Sequence, residues 1–170
     1  MANLETQILD EVIVKSRRKM LSLGGAALAG LAVAGVTKAN AQTATITDND
    51  ILNFALNLEY LEAQFYTLAV FGVTIDKLPT PIPISVNGGT GGSVVVKANP
   101  KVTFLDPAIA AYAMETAIEE GKHVSFLQKA LGANAVSMPN IDLQGSFNTL
   151  AAAAGIGPAF DPFNGDANFL

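Results

Sequence analysis

Apolar positions recur at helical spacing over two long stretches of the chain. From Asp48 to Phe71 the set Ile51, Leu52, Phe54, Ala55, Leu58, Leu61, Phe65, Leu68 and Ala69 wraps most of the way round a helix. That is the pattern of a helix buried on more than one side. Thr47 followed by Asp50 resembles a capping box with Asp in the fourth place, and Gly72 stands where a helix stops. From Pro107 to Leu131 the positions Ile109, Tyr112, Ala113, Thr116, Ala117, Glu120, His123, Val124 and Leu127 share one face. Asp106 can cap this second helix, Pro107 suits its first position and Gly132 ends it. The residues Phe54, Phe65, Tyr112, Met114 and Phe126 are expected to pack in the core.

The intervening residues 73–105 have another texture. Pro79, Pro81 and Pro83 rule out a continuing helix, and Asn87 to Gly92 is a flexible turn. Ser93–Lys97 and Lys101–Phe104 have strand composition, separated by Ala98-Asn99-Pro100. They predict a small β-hairpin on a connection that is long for a helix bundle. Beyond the second helix, residues 133–145 read as a loop broken by Pro139. A short third helix is predicted over Ser146–Ala154, and turns follow through Gly165. An apolar segment begins at Asn168. The fold class is therefore all-α, a bundle with two long antiparallel helices.

Two members of the second helix's apolar face are polar. Glu120 and His123, the chain's single histidine, lie three residues apart and point to the same side. The first helix contributes Glu59 and, again three residues on, Glu62, with Tyr66 close to one turn beyond. Carboxylate oxygen plus imidazole nitrogen suits iron(II) or manganese. Glu59, Glu120 and His123 can surround one ion when two antiparallel helices carry them. Glu62 and Glu119 are further candidates for ligands or for solvated surface groups, and Tyr66 for a hydrogen bond to a ligand. The competing reading is a purely structural network in which Glu59 or Glu120 pairs with His123. Glu115 and Glu119 read as a solvated stripe, with Glu119 facing Lys122.

The first forty residues read as a signal rather than as part of the fold. Lys15-Ser16-Arg17-Arg18-Lys19 precedes a short apolar run, Leu23–Val36, and Ala39-Asn40-Ala41 follows. A basic start, a short apolar middle and an Ala-x-Ala end make an export signal. The Arg17-Arg18 pair resembles the twin-arginine signal, which implies the twin-arginine export machinery as a partner. Cleavage is placed after Ala41, giving a signal over residues 1–41, a domain over 42–170, and a periplasmic or secreted product of a bacterial cell. The run is too short to cross a bilayer comfortably, so membrane contact is expected only through the uncleaved signal. Residues 42–170 keep five basic and twelve acidic residues, a net charge of −7. This charge disfavours nucleic acid and anionic lipid. Absence of cysteine excludes disulfides, thiolate metal sites and a cysteine nucleophile. No hydrolase triad or phosphate loop is evident.

Asn57-Leu58-Glu59-Tyr60-Leu61-Glu62-Ala63-Gln64-Phe65-Tyr66 and Glu119-Glu120-Gly121-Lys122-His123 resemble the first two bundle helices of the ferritin-like superfamily. The stretches Asp106–Tyr112, His123–Leu127 and Phe160–Phe163 and the glycine-rich insertion narrow the likeness to the desiccation-related, ferritin-like domain proteins. That resemblance covers about Asp48 to Leu170. It implies Glu59, Glu120 and His123 as metal ligands of one half-site and a role in stress. It also implies a third and fourth bundle helix bearing the other half-site, which this sequence lacks. A di-metal centre within one chain would need a second Glu-x-x-His, and the sequence has none. Two expectations follow: a missing C-terminal half, or a homodimer that completes a four-helix bundle. A metal-free structural bundle and an inactive fragment are the alternative functions.

Overall fold

The computed structural model describes residues 45–170. The signal motif with Arg17 and Arg18, and the cleavage point after Ala41, lie outside the described residues. The framework is a pair of long helices, α1 (Asp48–Phe71) and α2 (Pro107–Leu131). Their termini follow from local chemistry. Thr47 Oγ1 accepts from the Asp50 backbone N–H at 3.3 Å, and the Thr47 N–H donates to the Asp50 carboxylate at 2.8 Å. This reciprocal pair satisfies donors that a helix start leaves open. Gly72 turns left-handed at φ 76° and its N–H returns to the Leu68 carbonyl, closing α1. The Asp106 carboxylate caps α2 by accepting from the Ala108 N–H at 2.7 Å.

The helices run antiparallel. Asn53 near the start of α1 bonds to Asn134 and Val136, just beyond α2. Tyr60 meets Gln128, and Val70 packs with Ala113 and Ala117. Leu56, Tyr60 and Ala63 pack with Val124, Leu127 and Leu131 in a core that also takes in Ile75, Met138, Leu143 and Phe163. Buried Gln64 is satisfied within that core. Its carbonyl accepts from the Ile75 N–H at 3.2 Å, and its amide nitrogen donates to Met138 Sδ at 3.2 Å.

Residues 73–105 do not form the expected β-hairpin. The strand β1 (Val94–Val95) pairs in parallel with β2 (Ile141–Asp142), beyond α2. The physical reason lies in the second stretch of strand composition. The Val102 N–H is taken by the Ala69 carbonyl at 2.7 Å and the Val102 side chain is buried, so Lys101–Phe104 runs against the end of α1. β1 instead joins a lacing between the connection and the segment after α2. The Met138 N–H donates to the Ile84 carbonyl, the Gly92 N–H to the Met138 carbonyl and the Ile141 N–H to the Ser93 carbonyl. The Asn87 side-chain amide donates to the carbonyls of Gly132 and Ala135. A short helix α3 (Gly145–Ala153) and a final turn α4 (Asp166–Phe169) complete the order. The Asp166 carboxylate accepts from the N–H groups of Leu105 and Asp106, and the Phe169 ring stacks on Phe65 at 5.7 Å.

Three of the aromatic residues expected in the core are on the surface. Phe54, Tyr112 and Phe126 are 66%, 71% and 69% exposed, and Met114 is exposed too. Only Phe65 packs against the core. Periodicity marks a helix face as apolar without saying what covers it. Here one face of the α1–α2 pair has no cover among the described residues.

Candidate metal centre

Glu59 occupies the middle of α1, and Glu120 and His123 the middle of α2, so the antiparallel pairing brings them side by side. His123 Nδ1 lies 3.2 Å from a Glu59 carboxylate oxygen and 2.9 Å from a Glu120 carboxylate oxygen. The three donor atoms all lie within 4.8 Å of one another. The carboxylates are largely sheltered (side chains 23% and 15% exposed), whereas the imidazole is 52% exposed. The cluster thus sits at the rim of the helix pair and opens onto the uncovered face, rather than in the interior.

The electrostatics favour a positive charge at this point. The hydrogen bond from Glu120 raises the His123 pKa above its ordinary value, against some loss from burial, and the charges of Glu120 and Glu59 add to the rise. Burial raises the Glu59 pKa, and the hydrogen bond and charge of neighbouring Glu120 raise it further. In the metal-free protein a proton on Nδ1 is shared between two carboxylates. It occupies the spot on which all three donors converge. One nitrogen and two oxygens aimed at one point are the donor set of a hard-to-borderline divalent cation. The residues therefore fit such an ion.

Among the other candidates, Glu119 pairs with Lys122 at 2.6 Å on the solvent side and stays out of the cluster. Glu62 also lies outside it, and its pKa is raised by burial and then by the charge of Glu59. Burial, then the charges of Glu62 and Glu120, raise the Tyr66 pKa, which places its hydroxyl in their field. Tyr66 makes no hydrogen bond to the cluster among the described residues.

Sequence reasoning missed what lies beside the cluster. A cavity of about 520 Å³ is walled by Leu61, Glu62, Phe65 and Tyr66 of α1 and by residues 139–150, including Ile141 and Phe147. Its far wall depends on the parallel pairing of β1 with β2, for which the sequence carries no local signal.

Over residues 47–170 the chain matches the model of the ferritin-like domain. The chain belongs to the ferritin-like domain family. It is 36% identical over 128 residues to the desiccation-related protein PCC13-62 of Craterostigma plantagineum, a match covering 73% of this chain and 38% of that protein. It is 27% identical over 125 residues to the ferritin-like catalase Nec2 of Nesocodon mauritianus, covering 72% and 38%. The chain thus spans well under half the length of these relatives. No solved structure matches it significantly. The helical architecture is the one its ferritin-like family implies, with only a two-residue ladder of sheet. Among the described residues no helix is long and apolar enough to cross a membrane.

Proposed function

We propose that this ferritin-like chain is an exported stress protein of the desiccation-related type that holds iron or manganese through Glu59, Glu120 and His123. The observation that carries the reading is the convergence of three donors on one point, where a proton stands in for a cation. Bound there, either metal would supply one-electron redox chemistry, of use in oxidising iron(II) or removing peroxide. The chain's own residues do the rest. Glu120 orients the imbalance of charge by bonding His123 Nδ1, Glu59 closes the set from the opposite helix, and partial burial keeps both carboxylates from full hydration. Glu62 and Tyr66 line the way from the neighbouring cavity to the cluster. Export rests on the Arg17-Arg18 signal and cleavage after Ala41, with a periplasmic or secreted product.

A second reading is a catalase-like activity, favoured by the name of the relative from Nesocodon mauritianus. A third is a metal-free bundle in which Glu59, Glu120 and His123 satisfy one another. Elemental analysis after anaerobic loading with iron(II) or manganese(II) decides between binding and scaffold. Close to one ion per chain, lost in His123→Ala and Glu59→Gln, is expected. Fewer than about 0.2 ions per chain, unchanged by His123→Ala, refutes the metal reading, since apparent affinity depends on these ligands.

A further inference from the structure

We propose that the uncovered face of the α1–α2 pair is the docking surface for a second copy of this chain, and that a divalent cation at the cluster couples docking to metal binding. The proposal rests on the metal reading above and names the partner of that site. Ile51, Phe54, Leu58 and Leu61 form an exposed apolar stripe on α1, and Tyr112 and Phe126 flank His123 on the exposed stripe of α2. Their open surface amounts to roughly 600 Å² per chain, at the top of what a monomer ordinarily leaves bare. It supplies most of the ~800 Å² per partner of a standard interface.

The layout suits a second copy. Glu59 stands at the midpoint of α1, and Glu120 lies within a turn of the midpoint of α2. A two-fold axis across the helices at that height brings each apolar stripe onto a copy of the same surface. It also faces one Glu59–Glu120–His123 set with another, which is the isologous arrangement. The cluster is half open, because the 52% exposed imbalance of its shell lies on the His123 side. A partner copy would complete that side.

The same layout makes docking depend on a cation. Two copies place four carboxylates around one centre, and each chain carries a net −7 over residues 42–170. Like charges brought together oppose association unless a cation or proton offsets them. Manganese(II) removes that opposition at the point where it is greatest.

Analytical ultracentrifugation of the full chain at tens of micromolar, with manganese(II) or with a chelator, tests the proposal, and elemental analysis of the same samples reads metal content. The expected result is a doubling of the 17.6 kDa mass with manganese(II), and association about tenfold weaker or more in chelator. Phe54→Lys with Phe126→Lys alters no ligand. This pair should leave the helical circular dichroism and the bound manganese in place while holding the chain monomeric. Leu150→Lys, an exposed apolar position on α3, should leave the dimer intact. A manganese-loaded monomer overturns the docking proposal and spares the metal reading. A dimer that forms equally in chelator, or that survives the Phe54 and Phe126 changes, overturns the proposed surface or its coupling. A chain that takes up no manganese overturns the metal reading and the coupling together.

Discussion

Replacing Gly92 by alanine should be among the most disruptive single-methyl changes in the chain. A Cβ at residue 92 would lie 2.3 Å from the Pro139 carbonyl carbon, 2.4 Å from its oxygen and 2.4 Å from the Asn140 nitrogen. All three are backbone atoms, so no side chain can swing aside. Ordinary carbon contacts need 3.5–4.0 Å, and the two segments must therefore separate by roughly 1 Å. That separation breaks the 2.7 Å bond from the Gly92 N–H to the Met138 carbonyl and strains the ladder of Val94 with Ile141. Overpacking of this kind costs about 3 kcal/mol, and one lost hydrogen bond adds about 1 kcal/mol. Against a domain stability of about 5–15 kcal/mol, a fall of ~10 °C or more in melting temperature follows. Gly88→Ala is the control. Nothing lies within 4 Å of its Cβ, and only its φ of +79° opposes the change, at about 1 kcal/mol. Urea titration followed by circular dichroism at 222 nm gives both values. A Gly92→Ala midpoint equal to or above that of Gly88→Ala would refute the reasoning.

Four further outcomes are expected. Leu56→Ala empties a fully buried position between the long helices and should cost about 3–4 kcal/mol by urea titration. Asn87→Ala removes the two bonds to Gly132 and Ala135 at a residue with φ 52°, and should cost about 2 kcal/mol by the same assay. Thr47→Ala removes the side-chain cap of α1 and should cost about 1 kcal/mol, read as earlier fraying by amide exchange in the first turn. For the metal-free protein, Glu59 and His123 both have folded pKa values raised above the ordinary 4.5 and 6.5. The folded state therefore binds more protons than the unfolded state. Stability should fall as pH rises from about 4.5 to beyond 6.5. Urea midpoints across that range should flatten at the upper end in His123→Ala and at the lower end in Glu59→Gln.

Both long helices were legible because their signals are local. Thr47, Asp50 and Gly72 mark the bounds of α1, and Asp106, Pro107 and Gly132 those of α2. The grouping of Glu59 with Glu120 and His123 was legible for a related reason, since spacing on each helix and antiparallel pairing suffice to bring them together. Val94–Val95 was legible as extended chain but not in its pairing. Its partner lies 47 residues on, and Val102, which composition offered instead, is held by the Ala69 carbonyl. Phe54, Tyr112 and Phe126 were misjudged because an apolar residue at a helical position signals a face that wants cover. Whether the cover comes from the same fold is not written in the pattern. Glu119 was a candidate by sequence alone, and its ion pair with Lys122 takes it out.

The lacing of residues 84–95 onto residues 132–143 fixes an order of events during synthesis. Every backbone partner of that stretch in the segment after α2 is made later than the stretch itself. As the chain leaves the ribosome, Val94-Val95-Val96 waits unpaired until about fifty more residues have emerged. α1 meanwhile needs only its own turns to become helical. A valine run left idle is a place where neighbouring nascent chains can stick. Slowing translation between residues 96 and 143 should therefore lower the soluble yield more than slowing it after residue 143.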